Sequence, residues 1–149
     1  MNVQCAEPTD FDAIIAMARE VEPLFGPMAD DEGFQMGLKQ AIEQGVVFCS
    51  RQGEGAEATG AIIVSKEHNQ ILWFAVRKAS RNMGAGKALL KRALEALDRS
   101  GDIYVQTFDS TLDEGAGARA LYTAAGFDEF ENGGENPAGV PTVILRLKA

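Results

Sequence analysis

The residues that could hold an anion lie in a short segment between an apolar stretch and an amphipathic helix. Gly84 and Gly86 flank Ala85, so three small residues follow one another at the predicted start of the helix. Arg81 and Lys87 add positive charge in a chain whose net charge is −8. A helix N-terminus offers unpaired N–H groups, and glycines let an anion approach the backbone closely. Glycine spacing alone is equally typical of a simple turn, but the segment could hold a phosphate group.

Two other phosphate-binding motifs do not fit this segment. In a P-loop, a glycine stands five positions before a Gly-Lys pair, and Ser or Thr follows the pair. Here Arg81 occupies the glycine position, and Ala88 follows Gly86-Lys87. A dinucleotide fingerprint requires three glycines near the first strand of a βαβ unit. This segment has two glycines and comes after several predicted strands.

The positions of apolar and turn-forming residues predict a mixed α/β fold with the element order β-α-α-β-β-β-α-β-α-β. The predicted strands cover residues 3–6, 46–50, 61–65, 71–76, 103–108 and 140–147. Helices are expected after residue 10, after residue 32, after residue 86 and over residues 116–125, and Pro23 should interrupt the first of them. Residues 71–76 form the most apolar run, which is typical of a central strand buried on both faces. Residues 1–149 are expected to form a single domain.

The composition limits the classes of function that the chain can have. Its acidic net charge argues against nucleic acid as a partner, because that binding requires clustered Lys and Arg, and it would favour a cationic acceptor. The first twelve residues contain acidic residues and no apolar core, and no run approaches the ~20 apolar residues of a membrane span. We therefore expect no signal peptide, no membrane partner and a cytoplasmic location. Cys5 and Cys49 are expected to be free thiols that pack as small buried hydrophobes.

Two motifs together resemble those of the GNAT superfamily of acyl-CoA-dependent N-acetyltransferases. The first is Arg81-x-x-Gly84-x-Gly86 between a strand and a helix, which is similar to the (Arg/Gln)-x-x-Gly-x-(Gly/Ala) signature of that family. The second covers residues 118–127 and is similar to its Ala-x-x-Leu-Tyr-x-x-x-Gly-Phe signature, with Tyr122 as the tyrosine. One helix and one strand separate the two motifs, as in the family, and the resemblance extends over essentially the whole chain. It implies a central mixed, mostly antiparallel sheet flanked by about four helices.

The resemblance also implies a site, with acetyl-CoA as the co-substrate and no metal. Backbone amides of residues 83–87 would bind the CoA pyrophosphate, and the strand at residues 74–76 would splay from its neighbour and bind the pantetheine arm. A backbone N–H near Ala75 or Val76 would polarise the thioester carbonyl, and Tyr122 would protonate the departing thiolate. Without the motif, a tyrosine on a short helix is more often an aromatic at the edge of the core. The implied cofactor-binding residues are Phe74, Ala75, Val76, Arg81, Met83, Gly84, Ala85, Gly86 and Lys87.

One position departs from the family pattern. Gly115 stands seven positions before Tyr122, where the family commonly has Asn, and this puts one CoA contact in doubt. A non-catalytic acyl-CoA sensor or pseudoenzyme of the same fold therefore stays open, with Tyr122 in a structural role. A domain that binds no CoA and serves only protein contacts is a further alternative.

The implied reaction is direct transfer of an acetyl group from acetyl-CoA to a primary amine in a ternary complex. The amine must lose a proton, which a carboxylate or a chain of water molecules could accept. The candidate carboxylates, by position, are Glu22, Asp30, Asp31, Glu32, Glu67 and Asp109. None is assigned as the base, because each is more simply read as a solvated surface charge. The acceptor, whether a small-molecule amine or a peptide amine, stays open, as does a homodimer.

Overall fold

The computed structural model of the protein describes residues 2–149, which form a seven-stranded sheet with helices on both faces. The strands are β1 Asn2–Cys5, β2 Val47–Arg51, β3 Gly60–Ser65, β4 Gln70–Val76, β5 Ile103–Phe108, β6 Asp128–Glu135 and β7 Pro141–Leu147. Their order in the sheet is β1-β2-β3-β4-β5-β7-β6. Neighbouring strands are antiparallel except for β4 and β5, which are parallel.

The helices divide between the two faces of this sheet. They are α1 Phe11–Phe25, α2 Glu32–Glu43, α3 Ala85–Ala96 and α4 Ala116–Ala124, with short 3-10 turns at Pro8–Asp10, Lys78–Ser80 and Asp113–Gly115. On the α1–α2 face, Ile14 of α1 and Trp73 of β4 belong to one buried core. On the α3–α4 face, Leu89 of α3 and Tyr122 of α4 belong to another. Among the helices of residues 2–149, none is both long and apolar enough to cross a membrane.

The start of α1 is tied to the sheet by a buried ion pair. Arg51 Nη2 on β2 lies 2.9 Å from Asp10 Oδ2, and both side chains are almost fully buried. The same carboxylate oxygen accepts a hydrogen bond from the Glu7 N–H at 2.8 Å. Because a buried charge is tolerated when it is paired and hydrogen-bonded, these contacts fix the direction in which α1 leaves β1.

The two parallel strands in the middle of the sheet part after a short contact. β4 and β5 are paired at Gln70↔Tyr104 and at Ile71↔Val105, and within residues 2–149 no later pair joins them. Beyond Ile71, β4 therefore has β3 on one side and an open cleft on the other. This is the splay that was predicted beside residues 74–76.

Asn69 closes the base of this cleft. Its side-chain Nδ2 donates to the carbonyls of Asp98 and Asp102, at 2.9 Å in each case. Its Oδ1 accepts a hydrogen bond from the Asp98 N–H at 2.8 Å. The turn before β4 is thereby fastened to the turn before β5.

The predicted fold class is confirmed, with one strand more than the sequence indicated. The additional strand β6 carries four carboxylates and two glycines and lies at the edge of the sheet, where nearly all of its residues are exposed. Its partner β7 was predicted, because alternating apolar residues mark it. An exposed edge strand lacks that alternation, so nothing in the sequence distinguished β6 from a loop.

Three local predictions were wrong. Pro23 does not interrupt α1, which continues to Phe25, because a proline in the last turn removes a single hydrogen bond near the helix end. Residues 71–76 are not buried on both faces, and Leu72 is 53% exposed, because the cleft replaces one neighbouring strand. Cys5 is exposed on the edge strand β1, whereas Cys49 is buried; both are free thiols, as expected.

Candidate active site

A cavity of about 1120 Å³ fills the cleft between β4 and β5. Its walls on the α1–α2 face are the end of α1 and the turn between β6 and β7. Its walls on the α3–α4 face are the segment leading into α3 and the first turns of α4. Because both sets of elements line it, the cavity joins the two faces at the place where the sheet opens.

Peptide groups on one side of β4 face this cavity instead of another strand. The Arg77 N–H donates to the Thr59 carbonyl at 2.8 Å, and Ala75 is paired with Ala61 of β3. Peptide groups along a strand point alternately to either side. Those of Phe74 and Val76 therefore point away from β3 and into the cleft, where the Val76 carbonyl accepts a hydrogen bond from Arg81 Nε at 3.3 Å.

The segment before α3 has the backbone of an anion site. Asn82 and Gly84 both have left-handed backbone angles, with φ of +65° and +83°. The first helical hydrogen bond of α3 runs from the Ala88 N–H to the Gly84 carbonyl at 3.1 Å. Within the described chain, the N–H groups of residues 83–87 have no backbone acceptor, and they lie at the positive end of the helix dipole.

The two glycines of this segment are required for different reasons. At Gly84 a Cβ would meet no atom within 4 Å, so the positive φ is what favours glycine there. At Gly86 a Cβ would lie 2.9 Å from Leu121 Cδ1 of α4, so the end of that side chain would have to move. Gly86 thus lets α3 and α4 pack closely without displacing Leu121, the residue next to Tyr122.

Tyr122 lies in the wall of the cavity on α4. Its ring packs edge-on against Phe74 and Phe127, with centroids 6.1 and 5.5 Å away, and the residue is only 2% exposed. Its hydroxyl has no hydrogen-bond partner among residues 2–149. Within these residues, the unpaired side-chain atoms that are fully enclosed are Arg51 Nε and Trp73 Nε1, and the Tyr122 hydroxyl is not among them. The hydroxyl therefore has access to the cavity. Burial raises the pKa of Tyr122 well above its ordinary value of 10.0.

The structure brings most of the predicted site residues to this cavity. The lining includes Phe74, Ala75, Val76, Arg81, Gly84, Ala85, Gly86, Lys87 and Tyr122. Met83 is the exception, since its side chain is 52% exposed and its sulfur accepts a hydrogen bond from Gln52 at 3.6 Å, outside the cavity wall. What each residue does for a substrate remains a prediction.

None of the six carboxylates suggested by the sequence as bases lines the cavity. Four of them have structural partners instead. Glu22 accepts hydrogen bonds from the Met28 and Ala29 N–H groups at 2.8 and 3.1 Å, and Asp31 caps α2. Asp30 is paired with Arg19, and Asp109 accepts hydrogen bonds from Thr111.

Three other carboxylates line the cavity within the described residues: Glu20, Glu114 and Glu135. Glu20 accepts a hydrogen bond from the Lys78 N–H at 3.0 Å and pairs with Arg77 at 3.1 Å. These contacts, that of the Lys78 N–H above all, hold the pKa of Glu20 below its ordinary value. No motif or periodicity marked Glu135, because it lies in the unpredicted strand β6.

Gly115 is buried where the family commonly has Asn, and the space beside it is full. A Cβ at Gly115 would lie 2.7 Å from Arg119 Nη1 and 2.8 Å from Phe108 Cβ. Arg119 Nη1 donates to the carbonyls of Asp109 and Leu112 at 2.6 and 3.0 Å. The Arg119 guanidinium therefore occupies the place that a larger residue at position 115 would need.

The comparison with protein families now assigns the class of this protein. A family model described as "Acetyltransferase (GNAT) domain" matches residues 43–129, which is more than half of the chain. The matched range contains β4, the start of α3, β5 and Tyr122 of α4. The chain therefore belongs to the GNAT acetyltransferase family.

Solved structures share this fold over nearly the whole chain. The ribosomal-protein-alanine N-acetyltransferase from Brucella melitensis is 17% identical, with a TM-score of 0.79 and 100% of both chains covered. The yncA protein of Salmonella typhimurium, solved with its cofactor acetyl-CoA, is 15% identical, with a TM-score of 0.76 and coverage of 99% of this chain and 93% of that one. The ribosomal-protein-S18-alanine N-acetyltransferase from Escherichia coli is 20% identical, with a TM-score of 0.69 and coverage of 99% and 92%. A search of curated protein sequences gave no match.

Proposed function

We propose that this protein transfers the acetyl group of acetyl-CoA to a primary amine, by direct attack while both substrates occupy the cleft. The main support is that one cavity joins three features: the free N–H groups at the start of α3, the peptide groups of Phe74 and Val76, and the buried hydroxyl of Tyr122. Each of them suits a different part of acetyl-CoA.

In this proposal the donor is held mainly by backbone. The N–H groups of residues 83–87 bind the pyrophosphate, and Arg81 and Lys87 add charge beside it. The pantetheine arm lies along β4 as an added strand, because the neighbouring strand is missing there. Of the two amides that the family resemblance suggests for the thioester carbonyl, the register favours Val76, since the Ala75 peptide group is directed to β3.

The chemical step then forms one bond and breaks another. The nitrogen of a neutral amine attacks the thioester carbonyl carbon, and the Val76 N–H stabilises the oxygen as it gains charge. As the tetrahedral centre collapses, the C–S bond breaks and Tyr122 donates its phenolic proton to the departing thiolate. The amine nitrogen loses its extra proton to a carboxylate or water, and Tyr122 is reprotonated from solvent through the cavity.

The burial of Tyr122 suits it to this donation. Because burial raises its pKa, the phenol keeps its proton at neutral pH and well into the alkaline range. A general acid must be protonated when the leaving group departs, so this environment maintains the required form. Loss of activity at alkaline pH should consequently come from other groups.

Binding and turnover can be tested in sequence. Isothermal titration should first detect acetyl-CoA binding, and no binding at millimolar concentration would contradict the proposal. CoA release should then be followed with a thiol reagent across a panel of amines. Two structural neighbours are named for acetylating an alanine of a ribosomal protein, so the panel should include alaninamide and a peptide with an N-terminal alanine. Binding without transfer to any amine would favour the non-catalytic sensor.

A further inference from the structure

On the basis of the proposed function, we infer that the acceptor is a primary amine that carries an alkyl or aryl group close to its nitrogen. Leu72 of β4 and Leu24 of α1 are the residues that bind this apolar group. Three features support this class of acceptor: a bulge in β4, the apolar side chains in one wall of the cavity, and the pairing of the polar side chains beside them.

A bulge in β4 directs the Leu72 side chain to the α1–α2 face of the sheet. Two neighbouring residues of β3, Ile63 and Val64, are paired with Trp73 and Ile71. Within the described chain, Leu72 between them has no partner in β3. Ile71 belongs to the core on the α3–α4 face, and Trp73 belongs to the core on the α1–α2 face. Because side chains alternate along a strand, Leu72 points away from the face of Ile71 and shares the face of Trp73.

The bulge lies at the point where β4 and β5 part. Among residues 2–149, the last pair between the two strands is Ile71↔Val105, so Leu72 is the first residue of β4 beside the open cleft. Its neighbour across the opening is Gln106, and both residues line the cavity. Leu72 also lies two positions before Phe74, whose peptide groups face the cleft. A group that binds to Leu72 would therefore lie next to the thioester in the proposed complex.

Leu72 and Leu24 are apolar side chains of the cavity wall that lie outside the buried cores. Leu72 is 53% exposed and Leu24 is half-buried, and neither belongs to the two cores of residues 2–149. Phe25 and Phe108 extend the same wall, since their rings pack edge-on with centroids 5.1 Å apart. A single exposed leucine is ordinary, but two in one wall, one of them placed by a bulge, would gain from an apolar ligand that covers them.

The polar side chains on the same side of the cavity are already paired. Gln106 Nε2 donates to the Gly133 carbonyl and to Thr142 Oγ1, at 3.0 and 2.8 Å. Thr142 Oγ1 in turn donates to the Gly134 carbonyl at 2.8 Å, and Asn136 Nδ2 donates to a carbonyl of α1 at 2.7 Å. These groups hold β5, β6, β7 and α1 together. Apolar contact is therefore the main interaction that this wall offers to an acceptor.

The carboxylates that line the cavity are compatible with an apolar acceptor group. Glu20 is paired with Arg77 and accepts a hydrogen bond from the Lys78 N–H. Glu114 and Glu135 are exposed, so water and salt screen their charges. An apolar wall also suits the neutral amine of the proposed mechanism, because an apolar environment disfavours the charged ammonium form.

The test compares amines that differ in apolar size but hardly in basicity. Values of kcat/KM should be measured for ethylamine, butylamine and hexylamine, and for glycinamide and leucinamide, with the wild type, Leu72→Asn, Leu24→Asn and Met36→Asn. Asn is close to Leu in shape, so it removes apolar contact and keeps most of the volume. Met36 is an exposed apolar residue of α2 that does not line this cavity, so it is the control.

We expect kcat/KM of the wild type to rise about tenfold or more from ethylamine to hexylamine, as burial of about two of the added methylene groups would produce. Leu72→Asn and Leu24→Asn should each lower this hexylamine-to-ethylamine ratio about threefold or more, and Met36→Asn should leave it unchanged. A preference for leucinamide over glycinamide, lowered by the same two variants, supports the inference equally. It would identify the apolar group as the side chain of an N-terminal residue, whereas the alkyl series would identify a free amine.

The inference would be overturned by wild-type ratios near one in both series, or by ratios that neither leucine variant lowers. It would also be overturned if Met36→Asn lowered them as much, or if protein that binds acetyl-CoA acetylated none of the five amines. Because the two leucines lie on different elements, loss of folding in one variant leaves the other as the test. Failure of the wild type to bind acetyl-CoA would instead refute the proposed function, on which the inference depends.

Discussion

The two ends of the cleft are built in different ways. The end at α3 consists of backbone groups from residues 81–87, a single continuous segment whose shape depends on Gly84 and Gly86. The end at α1 consists of side chains and turns that are far apart in the sequence, such as Leu24 and Asn136, which are 112 positions apart and meet through one hydrogen bond. The first end can be recognised in a short motif, and the second exists only after folding.

This difference has a functional meaning. A backbone site tolerates changes in most of its side chains, so it suits a donor that all members of a family share. A site made of side chains on separate elements changes whenever one of those side chains is substituted. Such a site suits an acceptor that differs between members of a family. The first three of the following four experiments test whether the two ends can be altered independently, and the fourth compares the cores of the two faces.

The largest effect is expected for a change at Tyr122. Tyr122→Phe keeps the ring contacts with Phe74 and Phe127 but removes the proton donor. We expect kcat with an active amine to fall by about 100-fold or more, with the Kd for acetyl-CoA unchanged. Tyr104→Phe is the control, because Tyr104 packs against Phe130 and does not line the cavity. Wild-type kcat in Tyr122→Phe would remove Tyr122 from the mechanism.

The next effect concerns the end of the cleft at α3 alone. Gly84→Glu places a carboxylate beside the proposed pyrophosphate site on a backbone with φ of +83°, and we expect the affinity for acetyl-CoA to fall about 30-fold. Gly45→Glu introduces the same residue at a φ of +73° away from the cavity, so it should reproduce the loss of stability without the loss of affinity. Titration calorimetry measures the affinity, and equal affinities in the two variants would contradict the site.

A smaller effect is expected when only the end of the cleft at α1 is loosened. Asn136→Ala removes the hydrogen bond to the Leu24 carbonyl and the two that Asn136 Oδ1 accepts from the Ala138 and Val140 N–H groups, so it releases the turn between β6 and β7 from α1. We expect KM for an amine acceptor to rise by about 3- to 10-fold, because the contact with Leu24 no longer holds the turn in place, while the affinity for acetyl-CoA stays unchanged. Asn132→Ala is the control, because that side chain bonds within β6, to the Gly134 N–H at 2.7 Å. A parallel rise in the Kd for acetyl-CoA would show that the two ends are coupled.

The smallest effect concerns the cores of the two faces. Each contains a buried side chain that can lose a proton, the Cys49 thiol on the α1–α2 face and the Tyr122 phenol on the α3–α4 face. Burial raises the pKa of Cys49, on the α1–α2 face, from 9.0 to about 12. Above pH 9 the unfolded chain releases this proton and the folded chain retains it, so stability should fall as the pH rises from about 9 towards 12. Between pH 8 and pH 10 the wild type should lose on the order of 1 kcal/mol more unfolding free energy than Cys49→Ala. Urea unfolding at the two pH values measures this, and equal losses would mean that Cys49 ionises normally.

The sequence predicted the fold and the segment before α3 because their signals are local. The apolar run at residues 71–76 predicted β4, and Arg81-x-x-Gly84-x-Gly86 predicted the start of α3. The end of the cleft at α1 could not be predicted in this way. Glu135 lies in a polar edge strand without periodicity, and the six carboxylates chosen by position were mostly engaged in capping or pairing. Met83 was predicted from its place in the loop, but its side chain lies outside the cavity wall, against Gln52.

The three hydrogen bonds of the Asn69 side chain fix β4 and β5 to each other at only one end of the cleft. Two paired residue positions and the Asn69 side chain hold β4 and β5 together at their N-terminal ends. Val76 lies five residues beyond the second of these pairs, or about 16 Å at 3.3 Å per residue. A change of about 5° in the angle between the strands would thus move Val76 by ~1.4 Å relative to β5, the scale at which reacting groups lose alignment. The base of the cleft would be the pivot of such a movement, so small changes in the turns at residues 66–69 and 98–102 would alter the width of the opening near Val76.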